Sequence, residues 1–209
     1  MALSHINALK TPLLNERIGR LRAILDEESI SSVRETILSE PTLKDAHIYC
    51  KINKLNGQVS GCHIEHYIIQ HNPGLSRNCA SHRIGDCTDE QTGDHIEIKA
   101  SLGHKQKFNY VQIRCNHDIQ FYLLTAYYLD HSNYTTGGEL FVFKVPNSSM
   151  KELILSFGSY AHGTKQINGC LHESIHTGAD REYALRPIYG KSCWKALLPY
   201  RYFNLNNLS

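Results

Sequence analysis

The run His95-Ile96-Glu97-Ile98-Lys99-Ala100-Ser101 alternates strictly between polar and apolar side chains. Successive residues of a strand point to opposite faces, so Ile96, Ile98 and Ala100 share one face and His95, Glu97 and Lys99 the other. A helix would scatter both sets around its axis. The stretch therefore reads as a strand with its apolar face in a core. Just upstream, Glu90-Gln91-Thr92-Gly93 has the composition of a turn, with Gly93 supplying a permissive backbone. The two together predict a hairpin, and folding its arms back brings Asp86 across from the neighbourhood of Glu97.

Two carboxylates converging beside a lysine form a set with a definite chemistry. A hard cation such as magnesium takes oxygen ligands and keeps several waters, so one or two carboxylates plus a substrate phosphate oxygen hold it. The ion then lowers the pKa of a bound water and neutralises charge growing on the phosphate. Lys99 is placed to orient the attacking water and to offset negative charge in the transition state. The competing account is an exposed hairpin whose Glu97 and Lys99 are simply solvated.

Gly85-Asp86, then Ile96-Glu97-Ile98-Lys99-Ala100-Ser101, then Phe108-Asn109-Tyr110-Val111-Gln112-Ile113-Arg114, resemble the PD-(D/E)xK nuclease superfamily and, within it, the type II restriction endonucleases. Gly158-Ser159-Tyr160-Ala161-His162-Gly163-Thr164 is similar to a downstream loop of some members; the ends of the chain carry no such likeness. The resemblance implies an α/β fold with a central mixed β-sheet flanked by helices, restriction-endonuclease-like. It further implies a magnesium-dependent, sequence-specific endonuclease of double-stranded DNA that leaves 5′-phosphate ends and works as a homodimer on a palindromic target. Asp86 and Glu97, with the main chain at Ile98, would hold the metal, and Lys99 would position the water. Glu65 would be an accessory ligand from a helix ahead of the hairpin. The aspartate is not preceded by proline, which leaves Asp86, Asp89 and Asp94 in contention. Asp94 lies three residues from Glu97 and hence on the opposite face of the strand, so Asp86 is preferred. A repair or recombination nuclease of the same fold and a non-catalytic DNA-binding protein are the alternatives.

The chain's 209 residues, with 41% hydrophobic and 20% charged residues, match one soluble globular domain. Within it we expect an N-terminal helical part at 1–40, a catalytic core at 61–157 and a loop-rich C-terminal part at 158–209. A net charge of +2 neither favours nor excludes nucleic acid, because an acidic metal site and a basic groove cancel in the sum. The cysteines, at 50, 62, 79, 87, 115, 170 and 193, form no C-x-x-C pair. With no secretory signal, they point to reduced thiols in the cytoplasm. Cys79, His82 and Cys87 supply only half of the paired knuckles of a structural zinc site, so none is expected. No apolar run approaches the ~20 residues that span a bilayer.

Along the chain, Leu14, Ile18, Leu21, Leu25, Val33 and Ile37 recur at helical spacing and predict one or two amphipathic helices over 13–38. Residues 44–54 are ambiguous between helix and strand. Asn56-Gly57 reads as a turn, and 61–69 as a helix ending before Asn72-Pro73. Leu75 to His82 reads as a polar connection that, with Arg77, His82 and the following Arg83, could meet phosphates. Residues 103–107 read as a flexible basic loop, with Lys105 and Lys107 for DNA phosphates. Residues 108–114 read as a strand with Phe108, Tyr110, Gln112 and Arg114 on one side. Gln112 and Arg114 could touch base edges or support the active site, and support is favoured because the segment directly follows the catalytic hairpin. Near-continuous apolar runs at 121–129 and 139–145 predict strands covered on both faces, and Asn147-Ser148-Ser149 a capped helix. His162, Thr164, Lys165 and Gln166 have the donors and acceptors to read bases, and Arg181, Arg186, Lys191 and Lys195 would form a basic wall near Trp194.

Overall fold

The computed structural model describes residues 32–79, 83–161, 175 and 181–203. The chain divides into two compact units, Met1–Ser39 and Glu40–Ser209. In the first, residues 32–39 are helical, and the remainder of the expected N-terminal helices lies outside the described residues.

The second unit is α/β, with a mixed central sheet flanked by helices. It opens with α1 (Leu43–Ile52), which settles the ambiguous segment as a helix. Thr42 caps it: its hydroxyl accepts from the Asp45 N–H at 3.1 Å and donates to the Asp45 carboxylate at 2.6 Å. Leu43, Ala46, His47 and Cys50 are buried, the i, i+3, i+4, i+7 stripe that a helix turns toward a core. The expected turn at Asn56-Gly57 is the start of α2 (Gly57–His71), where the Asn56 side chain accepts from the Val59 N–H. Asparagine suits both roles because its short amide can bond nearby backbone. The helix buries Ser60, His63, Ile64, Tyr67 and Ile68 and ends at Asn72, ahead of Pro73.

The central sheet has five strands: β1 (Leu75–Arg77), β2 (Cys87–Asp89), β3 (His95–Ser101), β5 (Phe121–Tyr128) and β6 (Glu139–Pro146), in that order across the sheet. A smaller sheet orders β4 (Tyr110–Ile113), β8 (Tyr183–Leu185) and β7 (Ser159–Tyr160). β1, β2 and β3 are joined antiparallel, β3 runs parallel to β5 from Ile96↔Phe121 to Ser101↔Ala126, and β5 pairs antiparallel with β6 along its full length. The expected hairpin is β2, the 90–94 turn and β3.

β5 carries the core. Tyr122, Leu124, Ala126 and Tyr128 on one face join Phe141, Phe143 and Val145, together with Met150, Leu153 and Ile154 of α3 (Asn147–Phe157) and Trp194 and Leu197 of α4 (Ser192–Leu197). On the other face Thr125 bonds His47 of α1. Both faces are covered, as the apolar runs predicted. Trp194 is only 3% exposed and stands edge-on to Phe141 and Phe143 at 4.8 and 5.4 Å. It is a core anchor, as the apolar area an indole buries would have it. The Asn147 side chain donates to the Cys115 carbonyl instead of capping α3, whose N-cap position is Pro146.

The alternation expected over 108–114 fails at one residue. Tyr110 and Ile113 are both buried, three residues apart, because the register with β8 shifts between them and Gln112 takes a φ of +57°. An inserted residue of this kind turns its side chain away from the pleat.

Candidate active site

The site begins at Gly85. Its φ is +73°, and a Cβ there would lie 2.6 Å from the Ile96 carbonyl oxygen. Only glycine lets the chain pass this close to β3 in this conformation. Asp86 follows, and its N–H donates to that same Ile96 oxygen at 2.8 Å. Strand pairing between β2 and β3 extends only to Cys87↔Ile96. Beyond it, the Asp86 side chain takes the place of a neighbouring strand: its Oδ2 accepts from the Ile98 N–H at 2.7 Å. The carbonyl of a strand residue leaves from the same edge as its N–H, so Ile98 offers an oxygen on the edge that Asp86 covers.

Asp89 and Asp94, the other aspartates in contention, build the turn. Asp89 Oδ1 accepts from the Gln91 N–H at 3.0 Å, and Asp94 Oδ2 accepts from the Thr92 hydroxyl at 2.6 Å. Asn78, which sequence reasoning missed, fixes the loop that delivers Asp86. Its N–H bonds the Asp86 carbonyl, its Nδ2 donates to the Ile84 carbonyl at 3.0 Å, and its Oδ1 accepts from the Thr88 hydroxyl at 2.8 Å. No sequence signal marks an asparagine whose partners are set by tertiary folding.

Glu97 is only 8% exposed and forms an ion pair with Lys99. Glu65 comes from α2 and pairs with Arg77 of β1 at 2.9 Å. Burial first, then the neighbouring charge of Asp86, raise the Glu65 carboxyl to about 7, against the pull of Arg77 and Lys99. The Asp86 carboxyl is also raised, by burial and by Glu97, while Lys99 and the Ile98 N–H favour its ionised form. Burial lifts the Cys87 thiol to about 12, and the surrounding carboxylates add to it, so this cysteine is an inert neighbour.

Glu65, Asp86 and Glu97 set three carboxyl groups against Lys99 and Arg77 in a partly buried place. The donors are oxygens throughout, as a hard cation needs, and the mutual repulsion of the carboxylates is what a cation relieves. Among the described residues no three His, Cys, Asp or Glu side chains gather closely enough to hold a metal by themselves. The oxygen donors that could hold a hard cation here are the Asp86 and Glu97 carboxylates and the Ile98 carbonyl, since such an ion keeps much of its water.

A cleft of about 440 Å³ opens beside this cluster, lined by α2 from Gly57 to Glu65, by β3 from Ile98 to Ser101 and by residues 109–112. Gln112, expected to support the active site from a neighbouring strand, stands with an exposed side chain on the wall of this cleft, which Lys99 and Glu65 also line.

The expected DNA-contact residues fare unevenly. Arg114 is engaged by Glu182 in an ion pair and serves to join the end of β4 to the approach to β8, a pairing between distant segments that sequence order hides. Lys105 and Lys107 are exposed, but on a tight turn and not a flexible loop: His104 and Lys107 exchange N–H···O bonds of 2.8 and 2.9 Å, and Lys105 and Gln106 both have positive φ. Of the expected basic wall, Arg186 donates to the Ala161 carbonyl and the Ser159 hydroxyl, and Arg181, Lys191 and Lys195 are exposed. His162, Thr164, Lys165 and Gln166 lie outside the described residues. No described helix is long and apolar enough to cross a membrane.

The chain matches no protein-family model and no curated protein sequence.

Proposed function

We propose that this chain is a magnesium-dependent endonuclease that hydrolyses double-stranded DNA at a defined sequence, in the manner of the type II restriction enzymes. One observation carries the reading. Asp86 is held over the edge of β3 by the Ile98 N–H, beside a nearly buried Glu97 that is paired with Lys99. A merely solvated hairpin would not bury its carboxylates against one another, since isolated buried charge is costly.

Asp86, Glu97 and the Ile98 carbonyl would hold the metal, with Glu65 behind them. When bound, magnesium supplies a hydroxide near neutral pH and neutralises charge on the phosphate. Asp86 is oriented for its role by the Ile98 N–H. Lys99, drawn toward Glu97 in the free protein, donates to the attacking water and to a phosphate oxygen as negative charge develops there. Attack in line with the leaving 3′ oxygen gives a 5′-phosphate and a 3′-hydroxyl. A palindromic target calls for two copies of the chain related by a two-fold axis, one site per strand.

Digestion of long mixed-sequence duplex DNA tests this, with magnesium or with a chelator, beside Glu97→Ala and Lys99→Ala. The expected result is discrete magnesium-dependent fragments, with each substitution slowing cleavage by ~100-fold or more, the scale of losing one transition-state stabilising group. Intact DNA from folded wild-type protein under every condition would leave the cluster a structural device.

A further inference from the structure

We propose that Gln112 reads the edge of a base next to the scissile phosphate and so sets part of the sequence preference. For the reaction this rests on the nuclease reading above; for the contact with DNA it stands on the cleft itself.

Glu65 and Lys99 both line the cleft. A strand whose phosphate reached Lys99 would therefore lay an adjoining nucleotide along the rest of it, and a volume of about 440 Å³ suits a group of that size. Lys99 is the one lysine or arginine among the described residues of the lining. Apart from Glu65 and the Cys62 thiol, the other polar side chains of the lining are amides and hydroxyls, with Gln58 on α2 and Asn109 and Gln112 on the 109–112 segment, while the Ser60 hydroxyl is bonded to the Asn56 carbonyl. Neutral amides bring phosphate none of the charge that arginine and lysine supply. They match the donor and acceptor pattern of a base.

Gln112 is singled out by its backbone. It is a side-chain-bearing residue in the left-handed region, at φ +57°, a conformation that such residues adopt at a cost. The register shift with β8 buries Tyr110 and Ile113 on either side and leaves Gln112 facing outward into the cleft. Glycine would meet the backbone requirement with less strain. What glutamine adds is an amide able to give and take a hydrogen bond in one plane, the pattern that adenine presents in the major groove. The strained position thus presents a reading group within reach of the proposed reaction centre.

The test uses a pool of DNA duplexes with a fully randomised central window. Wild type, Gln112→Gly and Gln112→Leu are each scored for the sequences they cut with magnesium and for those they retain with calcium. Both variants should lose the preference at one base pair of the site by roughly 5- to 150-fold, the range for one bidentate contact, and keep the preference elsewhere. Gln112→Gly should melt no lower than wild type, which separates lost reading from lost folding. If the wild type cuts nothing but retains a sequence whose one position the variants no longer prefer, the nuclease reading fails and this inference stands. If both variants cut and retain the wild-type set, or if the wild type selects no sequence at all, the inference is overturned.

Discussion

Gly85 and Gly93 have nearly the same backbone, with φ of +73° and +76°, yet very different surroundings. A Cβ at Gly93 would meet nothing within 4 Å, whereas one at Gly85 would press on the Ile96 carbonyl oxygen and carbon at 2.6 and 2.8 Å. Gly93→Ala therefore incurs the left-handed strain alone, about 1 kcal/mol. Gly85→Ala adds a clash with backbone that cannot swing aside, and the chain must back away from β3. We expect it to cost about 3 kcal/mol, a fall of roughly 6–12 °C in the thermal midpoint for a chain this size. Because retreat of residue 85 carries Asp86 off the Ile98 N–H, cleavage should drop even at temperatures where the variant is folded. Melting curves and digestion of both alanine variants check this. Equal behaviour of the two would mean that the close passage of Gly85 along β3 is not what places Asp86.

Between elements, the pair His47–Thr125 joins α1 to the middle of the central sheet. His47 is fully buried, with Nδ1 2.7 Å from the Leu43 carbonyl and Nε2 2.9 Å from the Thr125 hydroxyl. A carbonyl can only accept, so Nδ1 carries the proton and Nε2 accepts from Thr125, which is the neutral ring. Burial lowers its pKa to about 4 from an ordinary 6.5. The unfolded chain then takes up a proton that the folded chain refuses between these values, so stability is full above pH 6.5 and falls as pH drops toward 4. The loss approaches about 3 kcal/mol by pH 4. Denaturant unfolding across this window should show the stability difference between wild type and His47→Gln shrinking by that amount, and a constant difference would place the ring in contact with water. This contact also shows what the sequence could reveal. The hairpin at 87–101, the covered strands β5 and β6 and the pair Asp86 and Glu97 rest on period-two patterns and turn residues a few positions apart, all legible in order along the chain. The helical state of 43–52 turns on the Thr42 cap and on a core for His47 and Cys50 to enter, and that core comes from residues about 80 positions away. Likewise, alternation over 108–114 was a fair local reading, but the shift at Gln112 is imposed by β8, more than 70 residues on. The ion pairs of Arg77 with Glu65, 12 residues away, and of Arg114 with Glu182, 68 residues away, join separate elements and leave no local pattern.

At the scale of the whole molecule, the acidic cluster should make the metal-free protein less stable than it could be. Burial and the charge of Glu97 raise the Asp86 carboxyl, so holding both ionised at neutral pH is a continuing electrostatic cost. Asp86→Asn removes one of the two charges and keeps an oxygen to accept from the Ile98 N–H, while Glu97 retains Lys99. In chelator, this variant should melt at or above the wild-type temperature. Adding magnesium inverts the order. An ion bound only by the folded state contributes about 2.7 kcal/mol at a hundredfold excess over its dissociation constant, so the wild type should rise by roughly 5–10 °C and the variant hardly at all. Destabilisation of the same residue pair in one condition and stabilisation in the other is what a functional site built from repelling groups predicts. A purely structural hairpin gives the opposite pattern, in which Asp86→Asn lowers the midpoint equally with and without magnesium and the wild type ignores the ion.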